Sequence, residues 1–240
     1  MAVRSGNMDA MLNLDRIKAI SLDLDDTLWP IWPTIERAEQ ALHDWLAINA
    51  PSTATRYPTP RALRDIRNEV ERQRPDLAHD MTALRRESIR VALSSAGDDP
   101  RLAEPAFELF IAERHNVSFF PDALPALERL AARYPLVSLS NGNANPARMG
   151  LGPYFVASIA ALEVGVSKPH ARIFHVAAEA VGVHPMEVLH VGDDMLLDVL
   201  GARAAGMQTA WINRDGVQWP HAERPHLELA DLSGLVAALG

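Results

Sequence analysis

The chain has 240 residues, 48% of them hydrophobic and 22% charged, which is the composition of a soluble globular enzyme long enough to bury a full core. Its net charge of −8 argues against nucleic-acid binding, and no apolar run approaches the roughly 18 residues that a membrane span needs. The absence of cysteine excludes disulfides, thiolate–zinc sites and cysteine nucleophiles. We therefore expect a cytoplasmic protein that acts as a monomer or homodimer.

The first predicted element is a buried strand that ends in carboxylates. Residues 17–24 are mostly β-branched or aliphatic, and Asp23, Asp25 and Asp26 stand at the end of this run. Burying an ionised carboxylate is costly unless a cation or hydrogen-bond donors compensate it. Since Asp23 and Asp25 project to the same side of an extended segment, they can share one cation. The pattern predicts a metal or substrate site; the alternative is a polar strand exit with turn-forming aspartates.

A helical segment is predicted after this strand. Between residues 33 and 116 the apolar residues recur at helical spacing in four stretches, which prolines separate. We predict a cap domain over residues 31–118, inserted into a catalytic core of residues 14–30 and 119–240. We predict that residues 1–13, which are rich in Met, Asn and Gly, form a flexible leader.

From residue 121 the pattern changes to alternating helices and strands. Alternation of this kind predicts an α/β fold, a doubly wound Rossmann-like parallel sheet with helices on both faces. The predicted elements are helix 121–133, strand 135–140, strand 155–160, helix 171–181, strand 188–191, helix 196–205 and a final strand 208–212.

Two polar motifs follow predicted strands in this half of the chain. Ser140 and Asn141 precede a glycine, so a hydroxyl and a backbone N–H can face an anion, although a simple Asn-Gly turn has the same pattern. Lys168 precedes a proline and is one of only two lysines among 23 basic residues. A solvated loop lysine is the alternative, but the scarcity of lysine favours a site that needs a compact charge.

If the acids after the first strand are counted as the first motif, Ser140 belongs to the second and Lys168 to the third. A fourth motif follows the strand at residues 188–191. Asp193 and Asp194 follow this strand, and Asp198 lies five positions after Asp193. Capping of the next helix by Asp194 explains part of this pattern and is compatible with a functional role. His190 fits a structural role within the strand.

Together these motifs make the chain resemble the haloacid dehalogenase superfamily over residues 17–240. The matching stretches are Asp23-Leu24-Asp25-Asp26-Thr27, Ser140-Asn141-Gly142, Lys168-Pro169 and Gly192-Asp193-Asp194 with Asp198. A helical cap inserted between the first two motifs is the subfamily I arrangement. Residues 141–146, 150–155 and 189–194 are also similar to bacterial flavin mononucleotide phosphatases, which act on a pyrimidine phosphate of riboflavin synthesis as well.

The resemblance implies a Mg²⁺-dependent phosphatase that hydrolyses a small-molecule phosphate ester, with no nucleic-acid or membrane partner. Asp23 would be the nucleophile that forms an aspartyl-phosphate, and Asp25 the general acid and then the base. Mg²⁺ would bind the carboxylates of Asp23 and Asp193 and the backbone carbonyl of Asp25. Ser140 and Lys168 would bind the phosphate oxygens.

The remaining motif residues receive supporting roles from the same resemblance. The N–H of Asn141 would join the phosphate ligands. Asp198 would orient Lys168 or a metal-bound water, and Asp194 would either support the site or cap a helix. Thr27 would support the loop of the nucleophile.

Other functions of the superfamily stay open at this level. A 2-haloacid dehalogenase uses a carboxylate nucleophile but needs neither the metal nor the second acid, both of which have candidates here. A phosphomutase would share this core and differ in its cap. A non-enzymatic anion-binding regulatory protein would be expected to lack at least one motif acid.

Substrate-selecting residues are harder to predict. Trp29 and Trp32 follow the first strand and would either border the entrance, stacking on a flat ring, or pack the hinge. Arg85, Arg86 and His79 would either contact the substrate or lie on the solvated faces of amphipathic helices, and we favour the solvated faces.

Overall fold

The computed structural model describes residues 12–240, which contain one six-stranded parallel sheet with helices on both faces. Its strands are β1 (Ala19–Leu22), β2 (Leu136–Ser140), β3 (Ala157–Ala160), β4 (Val188–Gly192), β5 (Gln208–Ile212) and β6 (Leu227–Leu229). Their spatial order is β3-β2-β1-β4-β5-β6, and every neighbouring pair is parallel. The predicted doubly wound α/β fold is confirmed.

The helices fall into an inserted group and a group that flanks the sheet. They are α1 (Ile31–Asn49), α2 (Pro51–Arg56), α3 (Pro60–Gln73), α4 (Met81–Ala96), α5 (Ala103–Arg114), α6 (Ala123–Ala131), α7 (Ala161–Val164), α8 (Ala171–Glu179), α9 (Gly201–Ala204) and α10 (Leu232–Leu239). None of these helices combines the length and the apolar character that crossing a bilayer requires.

Strand β1 lies at the centre of the sheet, with β2 on one side and β4 on the other. All four of its residues are buried, as expected for a parallel strand covered on both faces. Ile20 and Leu22 belong to the hydrophobic cluster on one face, while Ala19 belongs to the cluster on the other. The carboxyl ends of β1, β2 and β4 therefore meet at one edge, where open α/β sheets bind ligands.

The helices α1 to α5 enclose a hydrophobic cluster of their own. Its buried members include Leu42, Leu93, Phe107 and Phe110, none of which belongs to the two clusters of the sheet. This separate core agrees with the helical periodicity that the sequence shows between residues 33 and 116. The exact cap boundaries, residues 31–118, stay a prediction.

Two predictions for the C-terminal half are wrong in detail. The strand at residues 208–212 is followed by β6 and α10, which the sequence did not reveal because β6 is only three residues long and α10 is almost uniformly apolar. The predicted helix over residues 196–205 divides into a π-helical segment, Met195–Leu200, and the short α9. Such π-helical turns frequently accompany functional sites.

Most of the predicted leader, residues 1–13, lies outside the described residues. Of its last two residues, Leu12 packs against the sheet core and Asn13 is bound to Gln208. The Asn13 N–H donates to the Gln208 side-chain oxygen at 2.6 Å, and the Gln208 amide donates back at 3.1 Å.

Candidate active site

The predicted motif residues converge because they follow three neighbouring strands. Asp23 follows the central strand β1, Ser140 ends β2 and Asp193 follows β4. The Asp23 N–H donates to the carbonyl of Val191 at 2.8 Å, which extends the pairing of β1 with β4 to the first motif residue. The sheet order thus brings together residues that are 117 to 170 positions apart along the chain from Asp23.

Lys168 is buried between two carboxylates. Its Nζ lies 2.5 Å from Oδ1 of Asp23 and 2.6 Å from Oδ1 of Asp198, and 4% of the residue is exposed. Burial alone would lower the pKa of Lys168, but Asp198 and Asp23 outweigh it and raise that pKa. Burial likewise opposes ionisation of Asp198, and Lys168 and His190 outweigh it and hold the pKa of Asp198 below its usual range. The lysine therefore stays charged at neutral pH.

On the other side of Asp23 the negative charge is not compensated. Asp23, Asp193 and Asp198 each offer a carboxylate oxygen within 4.8 Å of the others. Burial raises the pKa of Asp193 to about 7, with Asp198 adding to the effect, and burial also raises the pKa of Asp23. The hydroxyl of Thr27 lies 3.2 Å from Asp193 Oδ1 and 3.4 Å from Asp23 Oδ2. A hard cation with oxygen ligands fits the carboxylates of Asp23 and Asp193.

His190, for which the sequence analysis predicted a structural role within the strand, contacts Asp198, the carboxylate that holds Lys168. The buried His190 places Nε2 3.1 Å from Asp198 Oδ1 and Nδ1 2.8 Å from the hydroxyl of Ser21. Burial lowers the pKa of His190, so the ring is neutral at neutral pH. A neutral ring that donates from Nε2 fixes Asp198, which in turn fixes Lys168. Its position two residues before the end of β4 was the only available signal.

The loop after β2 holds Lys168 through its backbone. The Asn141 side chain accepts from the Lys168 N–H at 2.7 Å and donates to the Lys168 carbonyl at 3.0 Å. Ser140 Oγ accepts from the Gly142 N–H at 3.0 Å, which shapes the turn of this loop. The Asn141 amide thus ties the second and third motifs together, a contact that sequence spacing did not predict.

Asp25 has a partner that the sequence analysis missed altogether. Nη2 of Arg114, at the end of α5, donates to Oδ1 and Oδ2 of Asp25 at 2.6 and 2.7 Å, and 2% of Arg114 is exposed. The indole N–H of Trp29 donates to Oδ1 at 2.8 Å. Trp29 is therefore buried behind Asp25 rather than placed at an entrance. An arginine at the end of a predicted helix carries no sequence signal for such a contact.

The two remaining acids shape the backbone. Asp194 accepts from the N–H groups of Leu196 and Leu197 at 2.8 Å each and so caps the π-helical segment. Asp26 adopts a φ of 57° and accepts from the Ile31 N–H at 2.8 Å, which places it at the turn into α1.

A cavity of about 250 Å³ opens beside Asp25, among the helices α1, α3, α4 and α5. Arg85 lines it and is buried, so the prediction of a solvated Arg85 is wrong. Its guanidinium is retained inside because Glu39, also buried, lies 3.4 Å away. Trp32 lines the same cavity and is 57% exposed, which places it at the rim.

Gly192 leaves room for Asp198, and this gives a first prediction. A Cβ at residue 192 would lie 2.3 Å from Asp198 Cγ, so Gly192→Ala must displace the carboxylate that holds Lys168. We expect a loss of about 1–3 kcal/mol in the free energy of unfolding, as for other overpacked sites, together with reduced activity. Urea unfolding and steady-state assays measure the two effects.

Gly152→Ala is the matched control, since its Cβ would lie 3.5 Å from the nearest atom, an ordinary contact. It should change the free energy of unfolding by less than about 0.5 kcal/mol. Equal behaviour of the two variants would show that Asp198 does not depend on the space at Gly192.

Comparisons with known proteins agree with this geometry. Residues 17–206 match the family model of the haloacid dehalogenase-like hydrolases. The 5-amino-6-(5-phospho-D-ribitylamino)uracil phosphatase YigB of Escherichia coli is 36% identical over 234 residues, which cover 94% of this chain and 98% of that protein.

Two solved structures show the same fold over nearly their whole length. The 2-haloacid dehalogenase from Pseudomonas syringae pv. Tomato is 38% identical with a TM-score of 0.85, covering 92% of this chain and 98% of that one. The HAD phosphatase from Thermococcus onnurineus is 25% identical with a TM-score of 0.68, covering 93% and 98%.

Proposed function

Because this chain belongs to the haloacid dehalogenase-like hydrolase family, we propose that its four motifs hydrolyse a small phosphate monoester with the help of Mg²⁺. One observation carries the proposal: Asp23 lies between a buried lysine and a second, uncompensated carboxylate, with Asp25 two residues away. A nucleophile between a fixed cation and a cation-binding acid suits attack on an anionic phosphate.

The reaction proceeds in two steps on Asp23. Its carboxylate oxygen attacks phosphorus, the bond from phosphorus to the ester oxygen breaks, and Asp25 gives its proton to the departing alkoxide. Asp25, now ionised, takes a proton from water as the water oxygen attacks phosphorus and the bond from phosphorus to the Asp23 oxygen breaks. Inorganic phosphate leaves, and both side chains return to their starting protonation states.

The phosphate oxygens are held by groups of the second and third motifs. Ser140 Oγ and the Asn141 N–H lie at the end of β2, and Lys168 Nζ is already fixed against Asp23. Because Lys168 is held by Asp198, it stays in place as charge develops on the transferring phosphoryl group. Asp198 and His190 act through Lys168 as positioning residues.

The carboxylates of Asp23 and Asp193 and the carbonyl of Asp25 are the groups that would hold Mg²⁺. Burial and the neighbouring charge of Asp198 raise the pKa of Asp193, and the closeness of its carboxylate to that of Asp23 supports this choice, since a hard divalent cation prefers such oxygens. When bound, the ion supplies positive charge that lowers the repulsion between the nucleophile and the phosphate.

The similarity to the Escherichia coli enzyme suggests the substrate. We infer that 5-amino-6-(5-phospho-D-ribitylamino)uracil, or flavin mononucleotide from the same pathway, is hydrolysed by this chain in the cytoplasm. The cap predicted over residues 31–118 would cover the alcohol of the ester, because its helices border the cavity beside Asp25.

Dehalogenation is the second candidate, and the 38% identity to a 2-haloacid dehalogenase favours it. Displacement of a halide needs the carboxylate nucleophile alone. Asp25, with its two dedicated donors, and Asp193, next to the nucleophile, would then have no part in the reaction. Their presence supports the phosphatase.

Metal-dependent phosphate release separates these functions and is the second prediction. The protein should release phosphate from the uracil ester with Mg²⁺, lose that activity with a chelator and recover it on addition of Mg²⁺. Parallel assays measure chloride release from 2-chloropropionate and phosphate release from flavin mononucleotide and a sugar phosphate. Chloride release without metal would overturn the phosphatase, while preference for a small sugar phosphate would overturn only the choice of substrate.

A further inference from the structure

The cavity beside Asp25 concentrates positive charge in an acidic protein. Four arginines and two carboxylates line it, while the chain as a whole has a net charge of −8. The arginines are Arg64, Arg67, Arg85 and Arg114. Burial lowers the pKa of Arg85 to about 10, and the nearby charge of Arg67 adds to this effect. Such a concentration favours an anionic or oxygen-rich ligand.

Some donors of the arginines that line the cavity are left without partners among the described residues, whereas the buried acceptor Glu39 is paired. Glu39 is taken up by Arg64 at 2.5 Å and Arg85 at 3.4 Å. Nη1 of Arg114 and Nε of Arg67, by contrast, are buried and have no partner within the described part of the chain. Leaving a buried donor unpaired destabilises the protein, so a ligand that brings oxygen acceptors recovers this free energy.

Apart from Asn143, the rest of the cavity wall is apolar and suits a ring. The guanidinium of Arg85 lies 4.2 Å from the ring centre of the buried Phe110, and Trp32 stands at the rim. Further apolar atoms come from Ile31 and Ile35. Because a cavity of about 150 Å³ accommodates benzene, one of about 250 Å³ suits a single substituted ring.

We propose that Arg114 links recognition of the leaving group to proton transfer. Its Nη2 fixes the Asp25 carboxylate, and its Nη1, together with Arg67, binds carbonyl or hydroxyl oxygens of a single-ring leaving group in the cavity. This assignment rests on the proposed function, because it places the alcohol of the phosphate ester there. Toward the substrate Arg114 is a binding residue, and toward Asp25 it is a positioning residue.

Three esters separate the two roles of Arg114. p-Nitrophenyl phosphate has a leaving group that needs little protonation, glycerol 3-phosphate needs protonation but is too short to fill the cavity, and the ribitylaminouracil ester needs protonation and fills it. The variants are Arg114→Gln, Arg114→Lys and Arg67→Gln, with Asp25→Asn as the reference for lost proton transfer.

Arg114→Gln should lower kcat by about 10²-fold for the two alkyl esters, within the roughly 10²–10⁴-fold expected of Asp25→Asn. With p-nitrophenyl phosphate its kcat should fall less than about threefold, since that leaving group needs little acid assistance. Its KM should rise about tenfold for the uracil ester, the scale of one lost hydrogen bond to a charged group, and not for glycerol 3-phosphate, which does not fill the cavity. Arg114→Lys should regain part of kcat with glycerol 3-phosphate but keep the raised KM for the uracil ester.

Arg67→Gln tests the cavity independently of Asp25. It should raise the KM for the uracil ester about tenfold and change the KM for glycerol 3-phosphate, which is too short to reach the cavity, by less than about twofold. Arg90→Gln is the matched control, because Arg90 pairs with Glu87 and Glu104 on the outer side of α4, away from the cavity. Its kinetics should stay within about twofold of wild type for all three esters.

The outcomes distinguish this proposal from the proposed function. An equal loss with all three esters would give Arg114 a purely structural role, and an unchanged KM for the uracil ester in Arg67→Gln would overturn the cavity assignment. Should Arg114→Gln fail to fold, as measured by circular dichroism, Arg114→Lys and Arg67→Gln carry the same comparison. Wild-type protein that releases no phosphate from any ester contradicts the proposed function instead.

Discussion

Replacing Asp23 with asparagine is expected to reduce phosphate release by roughly 10⁴–10⁶-fold, the scale on which loss of a nucleophile acts. The amide is a poor nucleophile, and it removes one of the two carboxylates proposed to hold the metal. Lys168 keeps Asp198 as its partner at 2.6 Å, so the variant should stay folded. Rapid quenching with a labelled ester should trap phosphate on the wild-type protein and none on the variant.

Asp26→Asn is a control from the same loop. Asn tolerates the φ of 57° at this position, and its side-chain oxygen can still accept from the Ile31 N–H. We expect activity within about tenfold of wild type, since asparagine is nearly isosteric and caps as well. Near-normal phosphatase activity in Asp23→Asn, with Asp26→Asn equally active, would contradict the aspartyl-phosphate mechanism.

Replacing Lys168 with methionine is expected to damage both folding and turnover. The change leaves the carboxylates of Asp23 and Asp198 buried without their shared cation, and such losses cost about 3–5 kcal/mol in the free energy of unfolding. Activity should fall by at least about 10²–10³-fold, because a fixed donor to the phosphoryl oxygens is gone. Urea unfolding in the absence of metal, together with steady-state kinetics, measures both effects.

The folding defect of Lys168→Met should shrink as the pH falls. In the wild type the pKa of Asp198 is held low by Lys168, so its contribution to stability is present above the unfolded pKa of about 3.9 and is lost in acid. In the variant the uncompensated carboxylates have raised pKa values, and protonating them removes their penalty. The wild type should therefore exceed the variant most at about pH 8 and less at about pH 5.

Lys18→Met makes the same substitution at the chain's other lysine. Lys18 pairs with Glu187 at the surface, where its side chain is 61% exposed. Loss of an exposed pair costs less than about 1 kcal/mol. If Lys168→Met were no less stable than Lys18→Met, the buried lysine would have no structural role between the two carboxylates.

Much of the fold and of the site was predictable because the signals are local. A buried parallel strand is a short apolar run, and a carboxylate, hydroxyl or lysine directly after it identifies the functional edge of the sheet. Asp23, Ser140 and Asp193 all follow this rule. Strand β6 and helix α10 were missed because a three-residue edge strand and a uniformly apolar helix lack the required periodicity.

Partners of the site residues were not predictable in the same way. Arg114 and Asp25 are 89 positions apart, and the arginine ends helix α5, where a solvated side chain has the same sequence pattern. Arg85 was wrongly predicted to be solvated for the same reason. His190 shows the same limit within β4, since only the fold reveals that its ring faces Asp198.

The sequence by itself determined the candidate groups for the chemistry of this protein: the acids after β1 and β4, the hydroxyl at the end of β2 and the scarce lysine before a proline. Only the tertiary structure decided their partners, the sharing of Lys168 between Asp23 and Asp198 and the fixing of Asp25 by Arg114. The physical reason is that burial and pairing depend on which elements pack together. Periodicity reports the face of an element and not the neighbour across it.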